Sequence, residues 1–312
     1  MNNFIISLNV VLPLFLVIAL GYGLQLLGMY EVVALKTMNR LVFKVFLPTY
    51  LFQSIYSTNL LVAFNKKVIL FSIISLLLWF LVLLCLVPFI EKQNNKRGVM
   101  IQGLFRSNFV LFAIPLAISL CGEDNIGITS LLVGIIVPIY NVLAVITLEI
   151  FRGGKPNSKV IVKGIITNPL IIASVLGIGL NQLNISLPYA IEKTVIDIGK
   201  VATPLALLVL GGEFHFSRVK ETMKQLMITV IGKLVVFPFL VLVAAIAMGF
   251  RNETLVPIFL MTGAPVAVSS YTMAEQMDGD GELAGEIVVV STALSILTIF
   301  IWVFLLKQLA FI

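Results

Sequence analysis

The sequence predicts an all-α polytopic membrane protein: ten transmembrane helices in a five-plus-five inverted repeat, with helices 4 and 9 broken. Three observations predict it. Of the 312 residues, 60% are hydrophobic and 12% charged, with a mean hydropathy of +1.10, far more apolar than a soluble domain. Apolar runs of membrane-spanning length recur along the whole chain. Prolines recur at matching places in its two halves.

With roughly 20 residues needed to cross the hydrocarbon core, the spans fall at about 4–26, 33–56, 67–90, 98–121, 127–149, 165–184, 190–211, 226–249, 255–275 and 284–308. The first run is long enough to span and lacks a basic region before it, so it is expected to remain as a helix rather than be cleaved. The longest connections, Arg152–Lys163 and Gly212–Gln225, are short, polar and charged and read as loops. Cys85 and Cys121 lie in or at the edge of apolar runs and read as packing residues. Neither a metal site nor a cofactor motif is indicated.

The net charge of +6 is explained by topology rather than by nucleic acid. The connections after spans 1, 3, 5, 7 and 9 hold Lys36, Arg40, Lys92, Lys96, Arg97, Arg152, Lys155, Lys159, Lys163, Arg218, Lys220 and Lys224. The opposite side holds Lys66, Lys67, Lys193, Arg251 and Lys307. This asymmetry predicts a plasma-membrane protein with both termini outside.

Pro13 and Pro169 lie 156 residues apart, as do Pro48 and Pro204, whereas Pro88/Pro238 and Pro115/Pro265 are separated by 150. Lys44-Val-Phe-Leu-Pro48 is echoed by Lys200-Val-Ala-Thr-Pro204. Residues 1–151 and 152–312 thus form two repeats of five spans. An odd number of spans makes the second repeat enter from the opposite side. Proline frees backbone polar groups at a depth where no bulk water satisfies them. Breaks are therefore expected at Pro115 and Pro265, beside Gly263 and Ser269-Ser270, and there a substrate, an ion or a protein group must bind. Paired interruptions of this kind mark the binding site of a secondary transporter.

Leu41-Val-Phe-Lys-Val-Phe-Leu-Pro48, Ser107-Asn108 with Ala113-Ile-Pro-Leu116, Val137-Pro-Ile-Tyr-Asn141, Ala202-Thr-Pro-Leu-Ala-Leu-Leu-Val-Leu-Gly211 and Gly263-Ala-Pro-Val-Ala-Val-Ser269 together resemble the auxin efflux carrier family, in its bacterial malate-permease-like branch. The resemblance covers nearly the whole chain. It implies that spans 4 and 9 cross at their breaks, that spans 1, 2, 6 and 7 form a scaffold against a mobile unit of spans 3–5 and 8–10, and that the chain forms a homodimer. It also implies that Asn108 lies near the crossover. The long cytoplasmic loop of many plant members is absent, which favours a carrier of small carboxylates such as malate.

Apart from the basic residues already assigned to connections, four fall inside the spans: Lys44, Arg106, Lys200 and Lys233. An ionisable group at that depth is a functional candidate. The repeat places Lys44 and Lys200 equivalently, and together they can hold the two carboxylates of a dicarboxylate, unless they snorkel or Lys200 pairs with Asp197. Arg106 and Lys233 are expected to snorkel. Asn108, Asn141 and Ser269 offer amides and a hydroxyl near the breaks, and with Pro115, Pro265, Lys44 and Lys200 they make up the expected substrate site. Asp197 and Glu286 are candidate proton carriers. Glu149 and Glu275 are expected at solvated span ends, and His215 in a solvated loop.

The functional expectation is a secondary active transporter of small organic anions working by alternating access. The competing reading is a cation/proton antiporter of similar architecture, which calls for carboxylates beside the breaks, and none lies in Asn108–Pro115 or Gly263–Ser270. An intramembrane enzyme needs a nucleophile and base or a metal cluster at depth, and the sequence offers neither.

Overall fold

The computed structural model describes residues 2–57, 65–122, 126–152, 158–214 and 219–312. These are helical apart from short turns and one isolated β-bridge. His215 lies outside the described residues.

The helices follow the apolar runs. α1 (Asn2–Leu26) ends at Gly28, whose φ of +69° suits a residue without a Cβ. α2 (Val32–Leu41) and α3 (Leu47–Tyr56) are joined by a π-helical segment, Val42–Phe46. The cause is Pro48: its ring obstructs the ordinary bond to Lys44, and the helix widens so that Leu47 N–H reaches back to Val42. The same device precedes Pro238. There α12 (Val219–Ile231) and α13 (Phe237–Ala247) flank the π-helical segment Gly232–Val236, and Phe237 N–H bonds Gly232.

α4 (Lys66–Ile90) starts at Asn65, whose side chain accepts from Val68 N–H at 3.2 Å. α7 (Gly127–Ile150) is continuous through Pro138. α8 (Ser158–Ile166) leads to α9 (Pro169–Gln182), which is capped by Asn168 and carries proline in its first turn. α10 (Tyr189–Lys200) and α11 (Ala202–Glu213) form a nearly continuous rod, and α16 (Gly281–Gln308) is capped by Asp280. Five stretches among the described residues are long and apolar enough to cross a membrane: Lys66–Ile90, Gly127–Ile150, Tyr189–Glu213, Glu221–Ala247 and Gly281–Gln308.

Two helices are interrupted. α5 (Asn94–Phe105) and α6 (Phe109–Cys121) are separated by Arg106, Ser107 and Asn108, and α14 (Leu255–Gly263) and α15 (Ser269–Gln276) by residues 264–268. The second break falls at Pro265 as expected. The first does not fall at Pro115, which lies well inside α6 with its ring on the exposed side. A proline removes only one bond of the ladder. At Arg106–Asn108, by contrast, the Ser107 hydroxyl bonds Met261 O and Asn108 N–H bonds Pro265 O, both outside the helix, and the chain opens there. The two breaks meet as an antiparallel bridge, Ser107 to Val266. Pro115 is therefore not the counterpart of Pro265 at the interruption.

Glycines set the closest approaches. A Cβ on Gly21 would collide with the carbonyl of Leu208, and one on Gly211 with that of Ile18, so α1 and α11 pack backbone against backbone. Gly177 brings α9 against Phe52 of α3 in the same way. These helices form one packed group. The interrupted helices, with α7, α12, α13 and α16, form another around the breaks, and α1 touches both α6 and α16.

Candidate functional site

The polar residues of the first break point in two directions. Arg106, buried at 4% exposure, runs to one side. Its guanidinium donates to Asn141 Oδ1 at 2.5 Å, Ser269 Oγ at 2.8 Å and Met273 Sδ at 2.7 Å. All three acceptors are neutral, and of the five guanidinium N–H groups three are used. Asn141 is held in turn by its amide N–H bonding Val137 O at 2.9 Å. Asn108 is 8% exposed, and its Nδ2 has no protein acceptor.

These groups line one cleft. Its floor is Arg106, Ser107, Asn108, Tyr140, Asn141 and Ser269, together with the first turn of α6, whose N–H groups have no intrahelical acceptor and carry the positive end of the helix dipole. Its facing wall is apolar and comes from Leu47, Tyr50 and Leu51 of α3, Leu170 of α9 and Ala206 of α11, with Thr203 beside them. No carboxylate lines it among the described residues. A buried cation, a free amide and a helix N-terminus directed at one space favour an anion.

On the other side of the break, Lys233 is wholly buried. Its ammonium donates to Ser107 Oγ and to Thr262 O (3.0 Å), and lies 5.0 Å from the Phe237 ring centre. Ser107 Oγ donates to Met261 O at 2.5 Å, and Tyr140 OH donates to the same carbonyl at 2.8 Å. Asn108 N–H bonds Pro265 O at 2.7 Å, and Val266 N–H bonds Ser291 Oγ at 3.2 Å. Much of the backbone exposed by the breaks is thus satisfied by the protein itself. The side chains of Arg106 and Asn108 carry the free donors.

Of the residues expected in the site, Asn108, Asn141 and Ser269 come together in the cleft, and Pro265 sits behind them through its carbonyl. Pro115 does not line it. Lys44 and Lys200 are exposed and outside it: Lys44 lies on the outer face of the π-helical segment, and Lys200 stands 3.7 Å from Asp197, which also binds Lys193 at 2.7 Å. The expected dicarboxylate clamp of these two lysines is absent from the cleft. Arg106 and Lys233, expected to snorkel, are the buried cations instead. The signal for Arg106 was its place at the head of Arg-Ser-Asn in an apolar run. Nothing local distinguished Lys233, because burial there depends on Ser107 and Thr262, both distant in sequence.

The acidic candidates lie elsewhere. Glu286 is buried, accepts from Thr222, and lines a second cleft with Lys36, Glu213, Tyr271 and Glu275. Within it Tyr271 OH donates to Glu213, joining α15 to α11. Glu149 is not at a solvated end: it is 6% exposed and bound by Arg152 at 2.9 Å, which also holds Asp278 at 2.8 Å. The hydrogen bond to Asp278, opposed by burial but aided by Glu149, holds the Arg152 pKa above its ordinary value.

No curated protein matches the chain. A profile of the family described as "Membrane transport protein" matches residues 6–303. With that match across almost the whole chain, over a helical fold with several spanning helices, the protein belongs to the membrane transport protein family, which is the auxin efflux carrier family.

Proposed function

We propose that this transporter carries a small organic anion, a carboxylate such as malate or a related acid, across the plasma membrane by alternating access, with the cleft at the two breaks as its substrate site. The observation that carries the reading is Arg106: a buried guanidinium whose partners are all neutral, opening with Asn108 Nδ2 into a cleft without acids. Neutral acceptors orient the guanidinium but leave its charge uncompensated, and a carboxylate supplies the missing charge. Asn108 and the α6 N-terminus add donors to the second carboxylate oxygen.

The two packed groups support alternating access. The glycine-tight helices α1–α3 and α8–α11 act as a scaffold, and α4–α7 with α12–α16 carry the site past it, as a ten-span inverted repeat. The apolar wall of α3, α9 and α11 is the surface against which the site slides. A cation/proton antiporter would need a carboxylate at this place.

The test is uptake of labelled mono- and dicarboxylates into proteoliposomes, with and without imposed pH and potential gradients, on the natural protein and on Arg106→Gln. Loss of one charged hydrogen-bonding partner costs about 1.5–3 kcal/mol, so the variant should bind its anion roughly 10–100-fold more weakly. Equal uptake of every anion by both proteins, or uptake of cations alone, would overturn the proposal.

A further inference from the structure

A long groove runs along the outside of the molecule between α4 and α13. The two helices are antiparallel and barely touch. Two aromatic pairs bridge them, Phe71 with Phe250 (ring centres 5.1 Å apart) and Trp79 stacked on Phe237 (5.3 Å). Between the pairs the lining is apolar, with Ile74 and Leu78 on one side and Leu240, Val241 and Ala244 on the other. Ser75 is the polar exception, and its hydroxyl is satisfied by Ser72 O at 3.1 Å.

Polarity is confined to one end. Asn65, Lys67 and Thr254 line the groove there, while the opposite end closes on Trp79 and Val82. Lys67 is exposed, and neither it nor the adjacent Lys66 has a carboxylate partner among the described residues. From Lys67 to Val82 the lined face of α4 is about 22 Å long at 1.5 Å per residue. That exceeds one leaflet of the hydrocarbon core, roughly 15 Å.

A slot with a cationic, hydrogen-bonding mouth and an acyl-length apolar body is the shape and charge of an anionic amphiphile. We propose that this groove is a binding site for an anionic phospholipid, with the headgroup phosphate at Lys67 and one acyl chain lying along α4 as far as Trp79. The far end of the site reaches the crossover: Trp79 Nε1 donates to Leu104 O at 3.1 Å, two residues before the break, and Phe237 packs against Lys233. Neutral lipid fills the same slot without the headgroup contact.

The chain has two tryptophans, Trp79 and Trp302, so Trp302→Phe leaves Trp79 as a reporter inside the groove. The full-length variant is reconstituted into phosphatidylcholine vesicles containing a fixed fraction of acyl-brominated phosphatidylglycerol or acyl-brominated phosphatidylcholine, and quenching of Trp79 is read. A basic side chain at the surface supports about a fivefold preference for the anionic headgroup, and adding Lys67→Gln should erase that preference while leaving quenching by phosphatidylcholine intact. Equal quenching by both lipids in the Lys67 protein would mean ordinary annular lipid and overturn the site, as would a preference that survives Lys67→Gln. Should Trp302→Phe fail to fold, phospholipid retained through detergent purification decides the matter, with enrichment of anionic lipid on the natural protein and its loss on Lys67→Gln supporting the site, and equal retention overturning it.

Discussion

Lys233, on the helix that precedes the second break, places its ammonium on the hydroxyl of Ser107 in the first. The same ammonium reaches Thr262 O beside the second break, so one buried cation ties both interruptions together. Lysine supplies three donors and accepts nothing, and here two carbonyl-type and hydroxyl oxygens and an aromatic face receive it. This accounts for a lysine in the core without an acid beside it: two oxygens and a ring face receive its terminal nitrogen.

Removing that tie is expected to loosen the crossover. Lys233→Met keeps the length and apolar stem but leaves Thr262 O without its donor, a loss of about 1–3 kcal/mol. Thermal unfolding in detergent should fall by several degrees, and further for Lys233→Ala, which adds a cavity. An unchanged melting temperature in both variants would show that the ammonium contributes nothing to the joined breaks.

The prolines are expected to separate. Pro115 sits inside continuous α6 and away from the cleft, so Pro115→Ala restores one helical bond and should leave transport close to that of the natural protein. Pro265 holds the extended backbone that pairs with Asn108, and the residue before a proline is biased to that conformation. Pro265→Ala should cut transport at least severalfold. Equal rates for both variants would detach the second break from function.

Lys44→Gln and Lys200→Gln bear on substrate charge. Both lysines are exposed and outside the cleft, and the Lys200 pair with Asp197 is a surface contact of small worth. Inhibition constants for matched mono- and dicarboxylates should keep their ratio in each variant. A dicarboxylate-selective loss on either would return these lysines to the site in another conformation of the cycle.

Orientation rests on the distribution of basic residues. In a background without Cys85 and Cys121, a membrane-impermeant thiol reagent applied from outside should modify Ser186→Cys and spare Lys92→Cys, since these lie in connections on opposite sides. The reverse pattern would invert the protein and with it the side on which the acidic cleft opens.

The sequence alone determined where the helices lie, because an apolar run of spanning length has few other outcomes, and the family because its motifs recur in order. It also singled out Asn108, Asn141 and Ser269, which the fold brings to one cleft, and Pro265, which lies behind them. What it misjudged were positions whose meaning depends on partners far along the chain. Pro115 drew attention as a helix breaker, yet a continuous helix tolerates one missing bond, whereas Arg106-Ser107-Asn108 opens because Met261, Pro265 and Ser269 are there to receive its polar groups. Lys44 and Lys233 each lie in a π-helical segment just before a proline, and nothing local tells one from the other. Tertiary packing turns Lys44 outward and encloses Lys233 against Ser107, Thr262 and Phe237. Lys233 is accommodated in the core because distant oxygens and a ring converge to replace water, and that convergence belongs to the fold.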